Sequence, residues 1–222
     1  MPDWAINPPI WVFALYFLGG YFFGTIQSAF FIGKIFGKID IREHGSGNAG
    51  ATNTYRVLGF RYGLLVLFFD LLKTMIPIII LYAVVFGINP WGLEANQYIY
   101  GLIVGVGVFF GHCFPFWLKF KGGKGVACSI GILLMFDPRF IPIVLSIALA
   151  IVFLTRFISL SSITGYISWG AITTFYYSEY LEIVITLWVL CVIGVILHHK
   201  NIRWLLNGTE KRFSFKSKKN GT

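Results

Sequence analysis

The sequence predicts an all-α membrane protein, a polytopic bundle of seven transmembrane helices that forms a single domain over residues 1–222. Hydrophobic residues make up 57% of the chain, and charged residues make up 12%. Soluble domains carry about 25% charged residues. The apolar residues fall into seven runs, and a membrane-spanning helix needs about 20 such residues. Little of the chain is therefore left for a soluble domain.

The first three spans are predicted from long apolar runs at residues 10–32, 62–86 and 97–117. No Lys or Arg precedes the first run, so it does not fit a cleaved signal peptide and is expected to be retained. Asp70 and Lys73 lie three residues apart in the second run, on one helical face. An ion pair between them would lower the cost of placing both charges in a membrane.

The last four spans are shorter, and turn residues separate them. They are predicted at residues 126–136, 139–154, 158–176 and 181–197. The run 126–136 is short for a full crossing. The chain ends in a basic tail, about residues 211–222, which is expected to be frayed or disordered.

The basic residues indicate the orientation of the bundle. Of the 18 Lys and Arg residues, all but Lys73 and Arg139 fall in loops or span ends on the side of the C-terminal tail. The positive-inside rule therefore places the C-terminus in the cytoplasm and the N-terminus outside. The net charge of +9 borders hydrophobic spans and forms no solvated basic face, so no nucleic-acid partner is expected.

The polar segment 111–125 separates the third and fourth spans and is rich in lysine and glycine. Glycine N–H groups at Gly122 and Gly123, with Lys121 and Lys124 beside them, suit a phosphate group. No Ser or Thr follows Gly-Lys, so the segment does not match a nucleotide-binding P-loop. A basic loop that merely obeys the positive-inside rule is an equal alternative.

The first polar loop, residues 45–56, contains the spacing G-x-G-x-x-G. No strand precedes it, so a dinucleotide-binding fingerprint is rejected. Ser46, Asn48 and Asn53 can supply neutral hydrogen bonds, and Arg56 offers a bidentate fork for phosphate. The alternative is a tight loop whose side chains cap turns.

The third polar segment, residues 198–210, follows the last span. If the helix continues, His198 and Asn201 share one face. A histidine there could orient a hydroxyl group or accept its proton, whereas the alternative is an interfacial histidine without chemistry. The four histidines are not spaced with carboxylates as metal ligands are, so no metal or other cofactor is expected.

Together the three segments resemble the three cytoplasmic motifs of the bacterial PlsY family, the acyl-phosphate:glycerol-3-phosphate acyltransferases. The matching stretches are GSGNAGATNTYR at 45–56, GHCFPFWLKFKGGKGVA at 111–127 and HHKNIRWLLNGTE at 198–210. Their order, their spacing and the seven predicted spans extend the resemblance to nearly all of the chain. Ala49, Cys128 and Trp204 depart from the residues usual in the family, and none is assigned to chemistry.

The resemblance implies transfer of a fatty acyl group from acyl phosphate to the 1-hydroxyl of glycerol 3-phosphate, giving lysophosphatidic acid and phosphate. This would be the first acylation of phospholipid synthesis. It also implies a multi-pass protein of the bacterial inner membrane with its active site facing the cytoplasm. Expected partners are the two substrates, membrane lipid and the enzyme that makes acyl phosphate.

The motif positions carry the expected site residues. Catalytic roles are implied for Ser46, Lys121, His198 and Asn201. Substrate-binding roles are implied for Gly47, Asn48, Asn53, Arg56, His112, Gly122, Gly123, Lys124, Arg203 and Glu210.

Direct attack by the glycerol hydroxyl is the expected mechanism, with His198 or the donor phosphate taking the proton. A covalent route through Ser46 is the alternative, although the sequence shows no base beside it. The H-x-x-x-x-D pattern of thioester-using acyltransferases is absent, so a thioester donor is not expected. An anion or phosphate transporter is the alternative function, and a purely structural membrane subunit is a third.

Overall fold

The computed structural model of the protein describes residues 9–87 and 97–213, which form helices joined by short turns. The helices are α1 (Ile10–Gly24), α2 (Ser28–Ile32), α3 (Ala51–Leu58), α4 (Phe60–Leu81), α5 (Tyr98–Cys113), α6 (Val126–Phe136), α7 (Ile141–Thr155), α8 (Ile158–Tyr176), α9 (Leu181–Leu197) and α10 (His199–Leu206). These described residues contain no β-strand, which confirms the all-α prediction. Residues 1–8, residues 88–96 between the second and third predicted spans, and residues 214–222 lie outside the described residues.

Each of the seven predicted spans overlaps a helix, but the helices differ in length. Four segments are long and apolar enough to cross a bilayer: Ile10–Gly37, Phe60–Val85, Tyr98–Leu118 and Pro138–Thr155. Helices α9 and α10, bent by 54°, supply a fifth if they count as one span. Helix α6 has 11 residues, or about 17 Å of length, against about 30 Å of hydrocarbon. The described residues thus give four to five candidate spans, and the count of seven stays a prediction.

The first predicted span, residues 10–32, is not one continuous helix. Residues 25–27 separate α1 from α2, and Gln27 has an extended backbone. A broken helix exposes carbonyl groups that lipid cannot satisfy. Here side chains supply the donors: the buried Lys73 Nζ lies 2.7 Å from the Ile26 carbonyl oxygen, and Nε1 of the partly exposed Trp117 lies 3.0 Å from that of Thr25. The sequence analysis predicted one continuous span here, although Gly24, Thr25, Gln27 and Ser28 interrupt the apolar run at the break.

The predicted ion pair inside the second span is confirmed, with Lys73 Nζ 2.8 Å from Asp70 Oδ1. The Ser28 hydroxyl donates to the same carboxylate oxygen at 2.9 Å. Lys73 Nζ also lies 2.9 Å from His112 Nδ1. All four side chains are buried. The network therefore ties the start of α2 and the end of α5 to the middle of α4.

Helices α1 and α5 approach so closely that their contact requires glycine. A Cβ atom at Gly20 or Gly24 would overlap a backbone carbonyl of α5, and one at Gly107 or Gly111 would overlap a carbonyl of α1. The four-residue spacing places each pair on one helix face, the pattern of close helix packing in membranes. This contact fixes the end of α5, which carries His112.

After α10 the chain folds back across the start of α8. The Phe213 N–H donates to the Arg156 carbonyl oxygen at 2.7 Å, and the Phe213 ring lies 5.3 Å from that of Tyr55 on α3. Residues 211–213 of the predicted tail are therefore packed against the body of the protein. This return places Glu210 beside the first turn of α8, where Ser159 donates to it.

Replacing Gly20 with alanine should destabilise the protein by roughly 1–3 kcal/mol, because the added methyl group overpacks against the α5 backbone. Gly19 is the matched control, since nothing lies within 4 Å of its Cβ position. Unfolding can be followed with a thiol-reactive dye, because Cys113, Cys128 and Cys191 are buried. Equal melting temperatures for Gly20→Ala and Gly19→Ala would contradict this packing.

Candidate active site

Three stretches that are far apart in the sequence meet around one cavity of about 150 Å³. The cavity lies where the first polar loop, the loop before α6, the start of α8 and the α9–α10 corner come together. It brings together the predicted site residues Ser46, Asn48, Asn53, Arg56, His112, Lys124, His198, Asn201 and Glu210. The three motifs therefore contribute to a single site.

The N-terminal ends of α3, α6 and α8 all border this cavity. The first-turn residues that line it include Ala51, Thr52, Val126, Ala127, Ile158 and Ser159. The first N–H groups of a helix have no partner within the helix, and they carry the positive end of its dipole. Three such ends around one space favour an anion, and phosphate binds at helix N-termini for this reason.

Asn53 organises the loop ahead of α3. Its Oδ1 accepts a hydrogen bond from the Ser46 backbone N–H at 2.8 Å, and its Nδ2 donates to two carbonyl oxygens earlier in the chain, each at 3.0 Å. Gly45 and Gly47 have φ angles of 65° and 74°, a region that favours glycine. The Asn53 amide thus shapes the loop that carries Ser46 to the cavity.

The loop between α5 and α6 folds back onto the end of α5. The Gly123 N–H donates to the His112 carbonyl oxygen at 3.0 Å. A side chain at Gly122 would overlap the His112 carbonyl, and one at Gly123 would overlap the His112 ring. Neither glycine lines the cavity. Their small size allows the close approach that brings Lys124 to the cavity beside His112.

A chain of hydrogen bonds joins Lys124 to Glu210 across the cavity wall. The Lys124 amine donates to Asn201 Oδ1, and Asn201 Nδ2 donates to Glu210 Oε1 at 2.9 Å. The Ser159 hydroxyl donates to the same oxygen at 2.9 Å. Glu210 Oε2 is buried and has no hydrogen-bond partner among the described residues. The wall of the cavity therefore contains a buried carboxylate oxygen that is not hydrogen-bonded to any described residue.

The surroundings of Lys124 change the pKa of its amine. Burial lowers the pKa of its amine to about 8; the Glu210 carboxylate opposes this shift, and Arg56 and Lys200 add to it. The amine is therefore charged at pH 7 and loses its charge just above the physiological range.

Hydrogen bonds assign the tautomers of the two histidines that line the cavity. His198 Nδ1 lies 2.7 Å from the Gly194 carbonyl oxygen. A carbonyl can only accept, so Nδ1 carries the proton, and Nε2 of the neutral ring remains an acceptor. His112 Nδ1 accepts from the Lys73 ammonium at 2.9 Å, which places its proton on Nε2. One ring can therefore take a proton, and the other can donate a hydrogen bond.

Several predicted residues lie outside the cavity. Lys121 and Arg203 are exposed and do not line it. Gly47 forms part of a turn, and Gly122 and Gly123 pack against α5 as described. This geometry gives no support for Lys121 as a catalytic residue, because Lys124 supplies the amine at the cavity.

The sequence analysis missed other residues that line the cavity, among them Asp70, Ser159 and Ser162. Asp70 was predicted only as an ion-pair partner. The run Ser159, Ser161 and Ser162 at the start of a predicted span was the signal for the two serines, since hydroxyl groups are unusual in an apolar run. The role of Ser159 depends on its bond to Glu210, which no local pattern connects to it.

A second, apolar pocket of about 230 Å³ lies between α6, α7 and α8. It shares Val126, Ile158 and Ser162 with the polar cavity, so the two spaces adjoin. The adjoining polar and apolar spaces suit a ligand with an anionic head and an apolar chain. The fold and the site together define an all-helical protein with candidate membrane spans and a polar cavity beside an apolar pocket.

Comparison with known proteins identifies the family. The family model described as glycerol-3-phosphate acyltransferase matches residues 14–208. The chain is 39% identical to the glycerol-3-phosphate acyltransferase of Fusobacterium nucleatum over 196 residues, which cover 88% of this chain and 95% of that one. It is 37% identical to the Bacillus subtilis glycerol-3-phosphate acyltransferase over 199 residues, which cover 90% and 96% of the two chains. The chain belongs to the glycerol-3-phosphate acyltransferase family.

Solved structures agree with this assignment. The fold is similar to a crystal structure of PlsY, an integral membrane glycerol 3-phosphate acyltransferase, in its glycerol 3-phosphate form. The TM-score is 0.80 at 32% identity, with 91% of this chain and 96% of that chain covered. The lysophosphatidic acid form of PlsY gives a TM-score of 0.77 at 31% identity, with the same coverage. The family is therefore PlsY, as the three motifs indicated.

Replacing Lys73 with methionine should destabilise the protein by about 3–5 kcal/mol, because it leaves the buried Asp70 carboxylate without its counter-ion. It also removes the donor to the Ile26 carbonyl. The control is the double variant Asp70→Asn, Lys73→Met, which removes both charges and should melt at a higher temperature than the single variant. A single variant at least as stable as the double one would contradict the role of the pair.

Proposed function

We propose that this protein transfers a fatty acyl group from acyl phosphate to the 1-hydroxyl of glycerol 3-phosphate, giving lysophosphatidic acid and phosphate. The observation that carries the proposal is the meeting of three helix N-termini and Lys124 at a cavity that adjoins an apolar pocket. The helix ends suit phosphate groups, and the apolar pocket suits a fatty chain. Both substrates carry a phosphate group, and the donor also carries the chain.

Glycerol 3-phosphate fits the side of the cavity formed by Lys124 and Glu210. The Lys124 amine and the Arg56 guanidinium supply positive charge for its phosphate. The unpartnered Glu210 Oε2 can accept a hydrogen bond from a glycerol hydroxyl, and Ser159 and Asn201 hold that carboxylate in place. A buried acceptor without a partner costs free energy, and a bound hydroxyl would satisfy it.

The reaction needs orientation and charge neutralisation more than activation, because acyl phosphate is already reactive. The glycerol O1 attacks the acyl carbonyl carbon, and the bond from that carbon to the phosphate oxygen breaks. The phosphate leaves with the bonding electron pair, and the helix N-termini and Lys124 stabilise its charge. The hydroxyl proton passes to His198 Nε2 or to the departing phosphate.

Direct transfer is favoured over an acyl-enzyme on Ser46. A nucleophilic serine needs a base within hydrogen-bond reach of its hydroxyl. Within the described residues, no histidine or carboxylate makes a hydrogen bond to the Ser46 hydroxyl, and the residue is exposed. Ser46 is better placed to bind a phosphate oxygen beside the first turn of α3.

The proposed setting is the bacterial inner membrane, with seven spans, the N-terminus outside and the C-terminus in the cytoplasm. The positive-inside distribution supports this orientation, and the short α6 would cross only as part of the packed bundle. The cavity then faces the cytoplasm, where glycerol 3-phosphate and the enzyme that makes acyl phosphate are found. Membrane lipid surrounds the exposed apolar faces.

The proposal is tested by giving the purified protein palmitoyl phosphate and glycerol 3-phosphate while measuring phosphate release and lysophosphatidate formation together. Palmitoyl-CoA serves as the comparison donor. Equal amounts of both products from the acyl phosphate, and none from the thioester, are expected. Phosphate uptake into liposomes without an acyl donor, in the absence of any acyl transfer, would instead establish the transporter.

The KM for glycerol 3-phosphate should rise as the pH increases from 7 to 9. The Lys124 amine, whose pKa burial lowers to about 8, loses its charge over this range. The substrate phosphate stays fully ionised, because its second pKa is about 6. Lys124→Arg is the control, since a guanidinium stays charged: its KM should remain flat. An equal rise in both proteins would assign the effect to another group.

Replacing Gly165 with leucine should shift the donor preference towards shorter acyl chains. Gly165 lines the apolar pocket, and nothing lies within 4 Å of its Cβ position, so the side chain has room to start and its branched end narrows the pocket. The ratio of kcat/KM for decanoyl over palmitoyl phosphate should rise about tenfold. Gly19→Leu, also in open space, should leave the ratio unchanged. An unchanged ratio in both variants would place the chain elsewhere.

A further inference from the structure

The buried side chain of Tyr166, in the middle of α8, contacts Lys124 and Ser129 and lies beside the ring of His198. Its hydroxyl lies 3.2 Å from the Lys124 carbonyl oxygen and 3.1 Å from the Ser129 hydroxyl. A carbonyl can only accept, so the single tyrosine proton points to Lys124, and Ser129 donates to the tyrosine oxygen. Tyr166 and Ser129 are 3% and 5% exposed, so water does not substitute for these bonds.

The ring of Tyr166 packs against the element that carries His198. A Cβ atom at Gly194 would overlap this ring, so glycine is what lets α9 approach it. The Gly194 carbonyl oxygen is also the group that fixes His198 through Nδ1. The Tyr166 and His198 rings meet at an angle of 61° with centroids 6.2 Å apart. The position of His198 therefore depends on the Tyr166 ring.

We propose that Tyr166 is a positioning residue for acyl transfer, which fixes the Lys124 backbone through its hydroxyl and the His198 ring through its own ring. This inference rests on the proposed function for its effect on turnover. It gives a physical reason why Lys124 and His198, which belong to different motifs, keep their relative positions at one substrate. Tyr166 also lines the apolar pocket, but its hydroxyl is bonded to Lys124 and Ser129. Misplacement of Lys124 or His198 by a fraction of an ångström lowers the rate although both side chains are still present.

A purely structural tyrosine is the competing explanation, and the residue that follows the C-terminal end of α8 supplies a control. Tyr177 is also buried, and its hydroxyl donates to Asp137 Oδ2 at 3.0 Å. Asp137 does not line the cavity. Tyr177→Phe therefore removes one buried, hydrogen-bonded hydroxyl away from the site, whereas Tyr166→Phe removes one that holds Lys124.

The test measures kcat and KM for the wild type, Tyr166→Phe, Tyr177→Phe, Ser129→Ala and the double variant Ser129→Ala, Tyr166→Phe, together with their melting temperatures. Tyr166→Phe should lower kcat/KM about tenfold, whereas Tyr177→Phe should leave it unchanged at a comparable loss of stability. The double variant should be no slower than Tyr166→Phe, because Ser129 acts through the same hydroxyl. Equal losses of activity in the two tyrosine variants would overturn the proposal.

A second measurement does not depend on turnover. An amine-reactive reagent labels the folded protein, and mass spectrometry gives the ratio of modified Lys124 to modified Lys121, an exposed lysine of the same loop. Tyr166→Phe should raise this ratio about threefold, because it frees the Lys124 carbonyl; Tyr177→Phe should not. A wild type without turnover would count against the proposed function alone, and the labelling ratio would still decide the role of Tyr166. An unchanged ratio would overturn it.

Discussion

The ammonium group of Lys73 is the contact on which much of the fold depends. It donates to the Asp70 carboxylate, to the Ile26 carbonyl at the break between α1 and α2, and to the ring of His112. An ammonium has three donors, and all three are used. A charge buried among apolar helices is stable only with such partners. The group therefore fixes the helix break, the centre of α4 and the end of α5 relative to one another.

The candidate site follows from this arrangement. The end of α5 holds His112. The loop between α5 and α6 folds back on it and brings Lys124 beside the N-terminal ends of α3 and α8. The N-terminal ends of three helices then border one cavity, an arrangement that suits a phosphate group. An apolar pocket adjoins it. The proposed acyl-phosphate donor, with its anionic head and its fatty chain, matches this pair of spaces.

The sequence predicted the parts of this structure that local patterns determine. Long apolar runs predicted seven helical segments, each of which overlaps an observed helix, and the spacing of Asp70 and Lys73 predicted their ion pair, which the structure contains. Contacts between distant segments were beyond such patterns. The break at residues 25–27 depends on donors from α4 and from the turn after α5, and the placement of Lys124 rather than Lys121 depends on how the glycines pack. Tyr166 gave no signal, because a tyrosine in an apolar run looks like any core residue.

The most direct test of the account is whether glycerol 3-phosphate binds in this cavity. The melting temperature of the purified protein is measured with increasing glycerol 3-phosphate, and with glycerol as the uncharged comparison, for the wild type, Lys124→Met and Lys121→Met. A ligand present at 100 times its Kd stabilises the folded state by about 2.7 kcal/mol. Glycerol 3-phosphate should raise the melting temperature of the wild type and of Lys121→Met, and should leave that of Lys124→Met unchanged. The same rise in Lys124→Met would contradict the account.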